Sequence, residues 1–90
     1  MTRIRWTTGA SDQLEAIVKR IREDNPEAAR AVAQTILDRI AKLENFPGMG
    51  RPGEKEGTRE LVSPPYVIVY RLKSDVAEIL YIWHGAQDWR

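Results

Sequence analysis

Three residues of this 90-residue chain have side chains suited to phosphoryl chemistry: Arg59, Arg71 and His84. Cleaving an RNA backbone without a metal needs a base for the 2′-hydroxyl proton. It also needs cations for the charge of the phosphorane and an acid for the leaving 5′-oxygen. His84 is the one histidine, and it can serve as acid or base near neutral pH. Arg59 and Arg71 can supply the positive charge, helped by Arg51 and Lys55 just upstream. Each also has a plainer reading. Arg71 interrupts the face that Val67 and Val69 begin, either to reach a ligand or because it ends the strand and snorkels to water. Arg59, beside Glu60 in an expected edge strand, can protect that edge against pairing with other chains. His84 can be a strand-end residue bonded to backbone.

Binding without chemistry draws on an overlapping set. Arg51 and Lys55 fall in a glycine- and proline-rich loop, and Trp83, Gln87 and Trp89 bracket the C-terminal end of the last apolar run. Aromatic residues in such a place anchor a macromolecular partner or close a small core. There is no cysteine and a single histidine, so thiol catalysis is excluded and neither a metal site nor a cofactor is expected. Net charge is +1. Between Phe46 and Lys73 the cations Arg51, Lys55, Arg59, Arg71 and Lys73 outnumber the anions Glu54, Glu56 and Glu60. That excess is too small for direct DNA binding, which needs several clustered cations.

The elements that must position these residues follow from periodicity. A short strand, Ile4-Arg5-Trp6-Thr7, precedes a helix capped by Thr8 or Gly9. Its apolar positions Ala10, Leu14, Ile17, Val18 and Ile21 lie on one helical face. Asp24-Asn25-Pro26 breaks it. Asn25 suits the cap and Pro26 the first position of a second helix running to about Asn45, with the stripe Ala29, Val32, Ala33, Ile36, Leu37, Ile40 and Leu43. So short a joint folds the helices into an antiparallel hairpin. Three glycines and two prolines between Phe46 and Gly53 then force a loop, which continues to Gly57. Beyond it the period becomes that of strands: Thr58 to Val62, Tyr66 to Leu72, a turn at Lys73-Ser74-Asp75, and Val76 to Trp83. The order β-α-α-β-β-β predicts a single α+β domain over residues 1–90, its helical hairpin on one face of a small antiparallel sheet. Hydrophobic residues make up 42% and charged residues 30% of the chain, which fits a packed core and not a disordered chain. No apolar run approaches the roughly 20 residues that span a bilayer. Met1-Thr2-Arg3-Ile4-Arg5-Trp6 lacks the apolar core of a secretory signal, so the expected compartment is the cytoplasm.

Taken in order, Phe46-Pro47-Gly48-Met49-Gly50-Arg51-Pro52-Gly53, Gly57-Thr58-Arg59-Glu60-Leu61, Pro65-Tyr66-Val67-Ile68-Val69-Tyr70-Arg71 and Ile79-Leu80-Tyr81-Ile82-Trp83-His84-Gly85-Ala86-Gln87 resemble the RelE/ParE toxins of type II toxin–antitoxin systems. The resemblance covers essentially the whole chain. It implies a growth-inhibiting toxin neutralised by a cognate antitoxin, through which alone it would meet operator DNA. ParE-type members poison DNA gyrase, and RelE-type members cut mRNA on the ribosome. The long second helix and the Pro47-Gly48-Met49-Gly50 turn look ParE-like. The alternatives are a RelE-like mRNA interferase using Arg59, Arg71 and His84, and an inactive relic that only binds.

Overall fold

The computed structural model describes residues 1–85 and has the expected element order with one short strand added after the helices. Strand β1 (Arg3–Trp6) leads into helix α1 (Thr8–Asp24) and helix α2 (Pro26–Ala41), which tightens into a 3-10 turn at Lys42–Glu44. Four strands follow: β2 (Arg51–Pro52), β3 (Thr58–Ser63), β4 (Tyr66–Lys73) and β5 (Val76–His84). They form one sheet in the order β1-β5-β4-β3-β2.

The helix ends show why these residues start and stop where they do. Thr7 caps α1, one residue before the cap expected from sequence. Its Oγ1 accepts from Ala10 N–H at 3.1 Å and donates to Ile79 C=O at 2.8 Å. The cap therefore satisfies an orphan donor of the first turn and also ties the helix to β5. Asn25 caps α2 as expected, through Ala28 N–H at 3.1 Å. Pro26 is first in the helix, where its missing N–H costs nothing. The α-helical part of α2 stops at Ala41, not Asn45, and the last turn winds more tightly, as helix ends often do.

One side of the sheet is covered. Helix α1 lies over β5 and α2 over β3. Ala10, Ile36, Ile40 and Leu43 pack there against Leu61, Tyr66, Ile68, Tyr70, Ala77, Ile79 and Ile82, with Leu14, Ile17, Ile21 and Val32 at the margin. Burial of the isoleucine, leucine and valine side chains, each worth roughly 1.5–3 kcal/mol when complete, is the main force that holds the hairpin to the sheet.

Two features depart from the expected meander. β1 pairs parallel to the first half of β5, Arg3 opposite Val76 through Trp6 opposite Ile79, so the sheet is antiparallel except at that edge. The second is β2. Arg51 and Pro52 pair with Glu60 and Arg59, so part of the expected loop is a strand and β3 is no longer the edge there. The proline is tolerated because β2 itself is the edge and needs no N–H on its outer side. No described helix is long and apolar enough to cross a membrane.

Candidate functional site

A one-residue irregularity decides which side chains share the other face, the one left uncovered by the described helices. On β4 and β5, Val69 faces Tyr81 while Tyr70 faces Ile79, leaving Leu80 without an opposite number. Such a bulge reverses the facing of everything beyond it. Ile79 and Ile82 therefore both enter the core, and Tyr81 and Trp83 turn to the uncovered side. Opposite them on that side lie Val69 and Val67, and on β3 Glu60 and Val62.

These residues floor a groove of about 440 Å³, lined by Glu54, Lys55, Thr58, Glu60, Val69, Tyr81 and Trp83. The Tyr81 and Trp83 rings lie with centroids 5.8 Å apart at 60°. Val69 is buried on the floor. Glu60 is 5% exposed, and its carboxylate accepts from Arg51 Nε at 2.9 Å across the β2–β3 pair. A carboxylate so buried is tolerable because that guanidinium neutralises it. The groove is thus apolar at its centre and rimmed by charges of both signs.

Of the residues singled out for binding, Lys55 and Trp83 line this groove, and Arg51 is joined to it through its ion pair with Glu60; Gln87 and Trp89 lie outside the described residues. The three residues singled out for acid–base or phosphoryl work do not come together. Arg71 is on the uncovered face but pairs with Glu78 at 3.6 Å, both half-exposed or less. His84 faces Tyr66 across the sheet, on the helix side, with ring centroids 5.4 Å apart. It lines a second cavity of about 420 Å³ with Gln13, Arg20 and Ile21 of α1. Tyr66 and Arg71 lie five positions apart on β4, roughly 17 Å of strand, so His84 and Arg71 sit at opposite ends and on opposite faces. Arg59 is committed elsewhere: its Nη1 donates to the carbonyls of Gly50 at 2.7 Å and Gly48 at 3.2 Å. No cluster of three metal-ligating side chains occurs among the described residues.

The residue that sequence reasoning missed most completely is Tyr70. Its ring is wholly buried, and its hydroxyl donates to Pro47 C=O at 2.7 Å and accepts from Gly50 N–H at 3.0 Å. With Arg59 it pins the whole turn from Pro47 to Gly50. Its partners are main-chain atoms far upstream in the sequence, which no side-chain pattern reveals. Tyr81, Val69 and Glu60 were missed as well, since only the bulge and the β2 pairing put them at one groove.

Burial pushes the Tyr70 phenol above its ordinary value of 10.0, against the smaller opposing pulls of the Gly50 hydrogen bond and the Arg59 charge. The folded state therefore holds this proton more tightly than the unfolded chain does. Its contribution is intact below about pH 10 and is lost as pH rises from there through the folded-state value. Thermal melts between about pH 9 and 11 will show the wild type losing more stability with pH than Tyr70→Phe. Parallel slopes would mean that the phenol does not carry this dependence.

The likeness to known proteins matches this architecture. Residues 4–89 match the model of a family described as the ParE toxin of the type II toxin–antitoxin system parDE. Toxin Y4kP of Sinorhizobium fredii is 44% identical over 89 residues, covering 97% of this chain and 92% of that protein. Toxin RelE2 of Caulobacter vibrioides is 31% identical over 87 residues, covering 97% of this chain and 99% of that one. Among solved structures, a chain of the chromosomal ParDE system of P. aeruginosa superposes with a TM-score of 0.83 at 30% identity, covering 93% of this chain and 96% of that one. A chain of the RelBE2 toxin–antitoxin complex of Mycobacterium tuberculosis reaches 0.63 at 24% identity, over 92% of this chain and 96% of that one, a likeness of fold. With a family model spanning nearly its full length and relatives aligned end to end, the chain belongs to the ParE toxin family of type II toxin–antitoxin systems.

Proposed function

We propose that this toxin arrests growth by binding DNA gyrase through the uncovered sheet face, without acid–base chemistry of its own, and that a cognate antitoxin holds it in check. The observation that carries the reading is the contrast within the site. Lys55 and Trp83 line one groove, with Arg51 paired to its Glu60, whereas Arg59, Arg71 and His84 are scattered over two faces and Arg59 is tied to backbone carbonyls. A poison that acts by occupancy needs a surface. A nuclease needs its acid, base and cations within hydrogen-bond reach of one phosphate. The ParE family match supports the choice of gyrase.

The antitoxin half of the proposal draws on the solved neighbours, which are described as toxin–antitoxin assemblies. For such a partner the chain offers the flank of the helical hairpin beside β1. Trp6, Leu14, Val18 and Leu37 line an open groove there, with Glu15 and Arg22 beside them. An amphipathic segment can lay its apolar face along it. The toxin would then meet operator DNA only through its partner.

The test is induction of the chain without its antitoxin. Gyrase poisoning predicts a DNA-damage response and filamentation with mRNA intact, and the His84→Ala variant, altered on the helix side of the sheet, will be as toxic as the wild type. Rapid translation arrest, with transcripts cut at codons in the ribosomal A site and lost in that variant, would establish the nuclease instead. An unaffected culture would mark an inactive relic.

A further inference from the structure

Phe46 and Met49 are the two large apolar side chains of the α2–β2 turn, and both stand in solvent, 64% and 44% exposed. The backbone that carries them does not look like a passive connection. Met49 N–H donates to Phe46 C=O at 3.1 Å, closing the turn on itself. Tyr70 Oη bridges Pro47 C=O and Gly50 N–H, and Arg59 Nη1 reaches the carbonyls of Gly48 and Gly50. Two side chains from the sheet, one of them wholly buried, thus hold the short turn by its main chain. A chain that needed only to link α2 to β2 could leave those carbonyls to water. On the far side, Thr2 N–H donates to Glu44 C=O at 3.0 Å and fixes the approach to the turn.

We infer that the Phe46–Gly50 turn is a preorganised recognition element, in which Phe46 and Met49 insert into an apolar pocket of the target protein while Tyr70 and Arg59 act as positioning residues. This rests on the reading that the toxin acts by occupying a protein. Holding the turn in its bound shape beforehand spares the entropy of ordering it on association. The pocket belongs to a protein and not to a nucleic acid because residues 46–50 include no cation and the nearby Arg59 guanidinium is spent on carbonyls. Nucleic-acid contacts go mostly to phosphate, which such a turn cannot address. β2 continues directly from the turn to Arg51, so the target would be gripped around the sheet edge as well as across the groove.

Three forms of the full chain decide the matter: wild type, Phe46→Ser with Met49→Ser, and Phe46→Leu with Met49→Leu. Each is tested for growth arrest on induction, for trapped gyrase–DNA cleavage complexes with purified gyrase, and for melting temperature. Because both side chains are exposed, the serine form will melt near the wild-type temperature. It will need at least about tenfold more protein for arrest, and the leucine form will recover most of the loss. A serine form as toxic as wild type overturns the inference, as does a leucine form as weak as the serine one. A positioning role for Tyr70 predicts that Tyr70→Phe weakens toxicity by a larger factor in the wild-type turn than in the serine form; equal factors mean a merely structural tyrosine and overturn that part. Arrest without cleavage complexes would refute gyrase as the target, yet the serine and leucine comparison would still judge the turn. Arrest lost together with antitoxin binding would give the turn to the antitoxin and overturn the inference. A wild-type chain that arrests nothing overturns both.

Discussion

Gly50→Val will cost the fold about 2–3 kcal/mol and strip the toxin of its activity. A Cβ at position 50 would stand 2.7 Å from both Cε1 and the hydroxyl of Tyr70 and 2.9 Å from Glu60 C=O. Neither neighbour can yield cheaply. The tyrosine ring is fully enclosed by the core, and the carbonyl belongs to a strand paired on both sides. The turn would have to lift off the ring, breaking both hydrogen bonds of the hydroxyl. Urea denaturation of Gly50→Val, Tyr70→Ala and the double variant checks the mechanism. Tyr70→Ala alone opens a cavity worth about 3–5 kcal/mol. In that background the valine will cost less, by roughly 1 kcal/mol or more, because residues in contact do not add. Strict additivity would mean that the turn is not seated on the ring.

The second large effect falls on the groove. Tyr81→Ala with Trp83→Ala removes two aromatic surfaces from its floor and will raise the amount of toxin needed for growth arrest by about tenfold or more, as loss of central aromatic anchors does at other interfaces. Both rings are half-buried, so some stability goes too. Tyr81→Phe with Trp83→Phe keeps ring area in place and separates the two losses: it will stay close to wild type in growth arrest. Should the alanine form arrest growth as well as wild type while melting lower, the aromatic pair would be packing and not contact.

Much of the fold was readable from sequence because its signals are local. The β-branched and aromatic run from Tyr66 to Leu72, the turn at Ser74-Asp75 and the Asn25-Pro26 helix start each state their conformation within a few residues. What was not readable depends on register. β2 is two residues long and sits among glycines and prolines, so it has no alternation to detect. Simple alternation from Val76 would send Tyr81 and Trp83 inward and Ile82 outward. The bulge at Leu80 reverses this, and with it the composition of the uncovered face. Arg59 looked like a cation for a ligand because its actual partners, the Gly48 and Gly50 carbonyls, are main-chain atoms that every residue offers. The same invisibility hid Tyr70. Sequence thus named Arg51, Lys55 and Trp83 for reasons of type, while the groove that Lys55 and Trp83 line, and the Glu60 that holds Arg51 beside it, come from pairing.

The most direct test of a toxin that works by occupancy is biochemical: the purified chain, free of antitoxin, added to purified gyrase and supercoiled plasmid, with a parallel reaction on programmed ribosomes. The account predicts trapped double-strand breaks in the plasmid, preserved in His84→Ala, and uncut mRNA on the ribosomes. Plasmid untouched and mRNA cut in the ribosomal A site would contradict it.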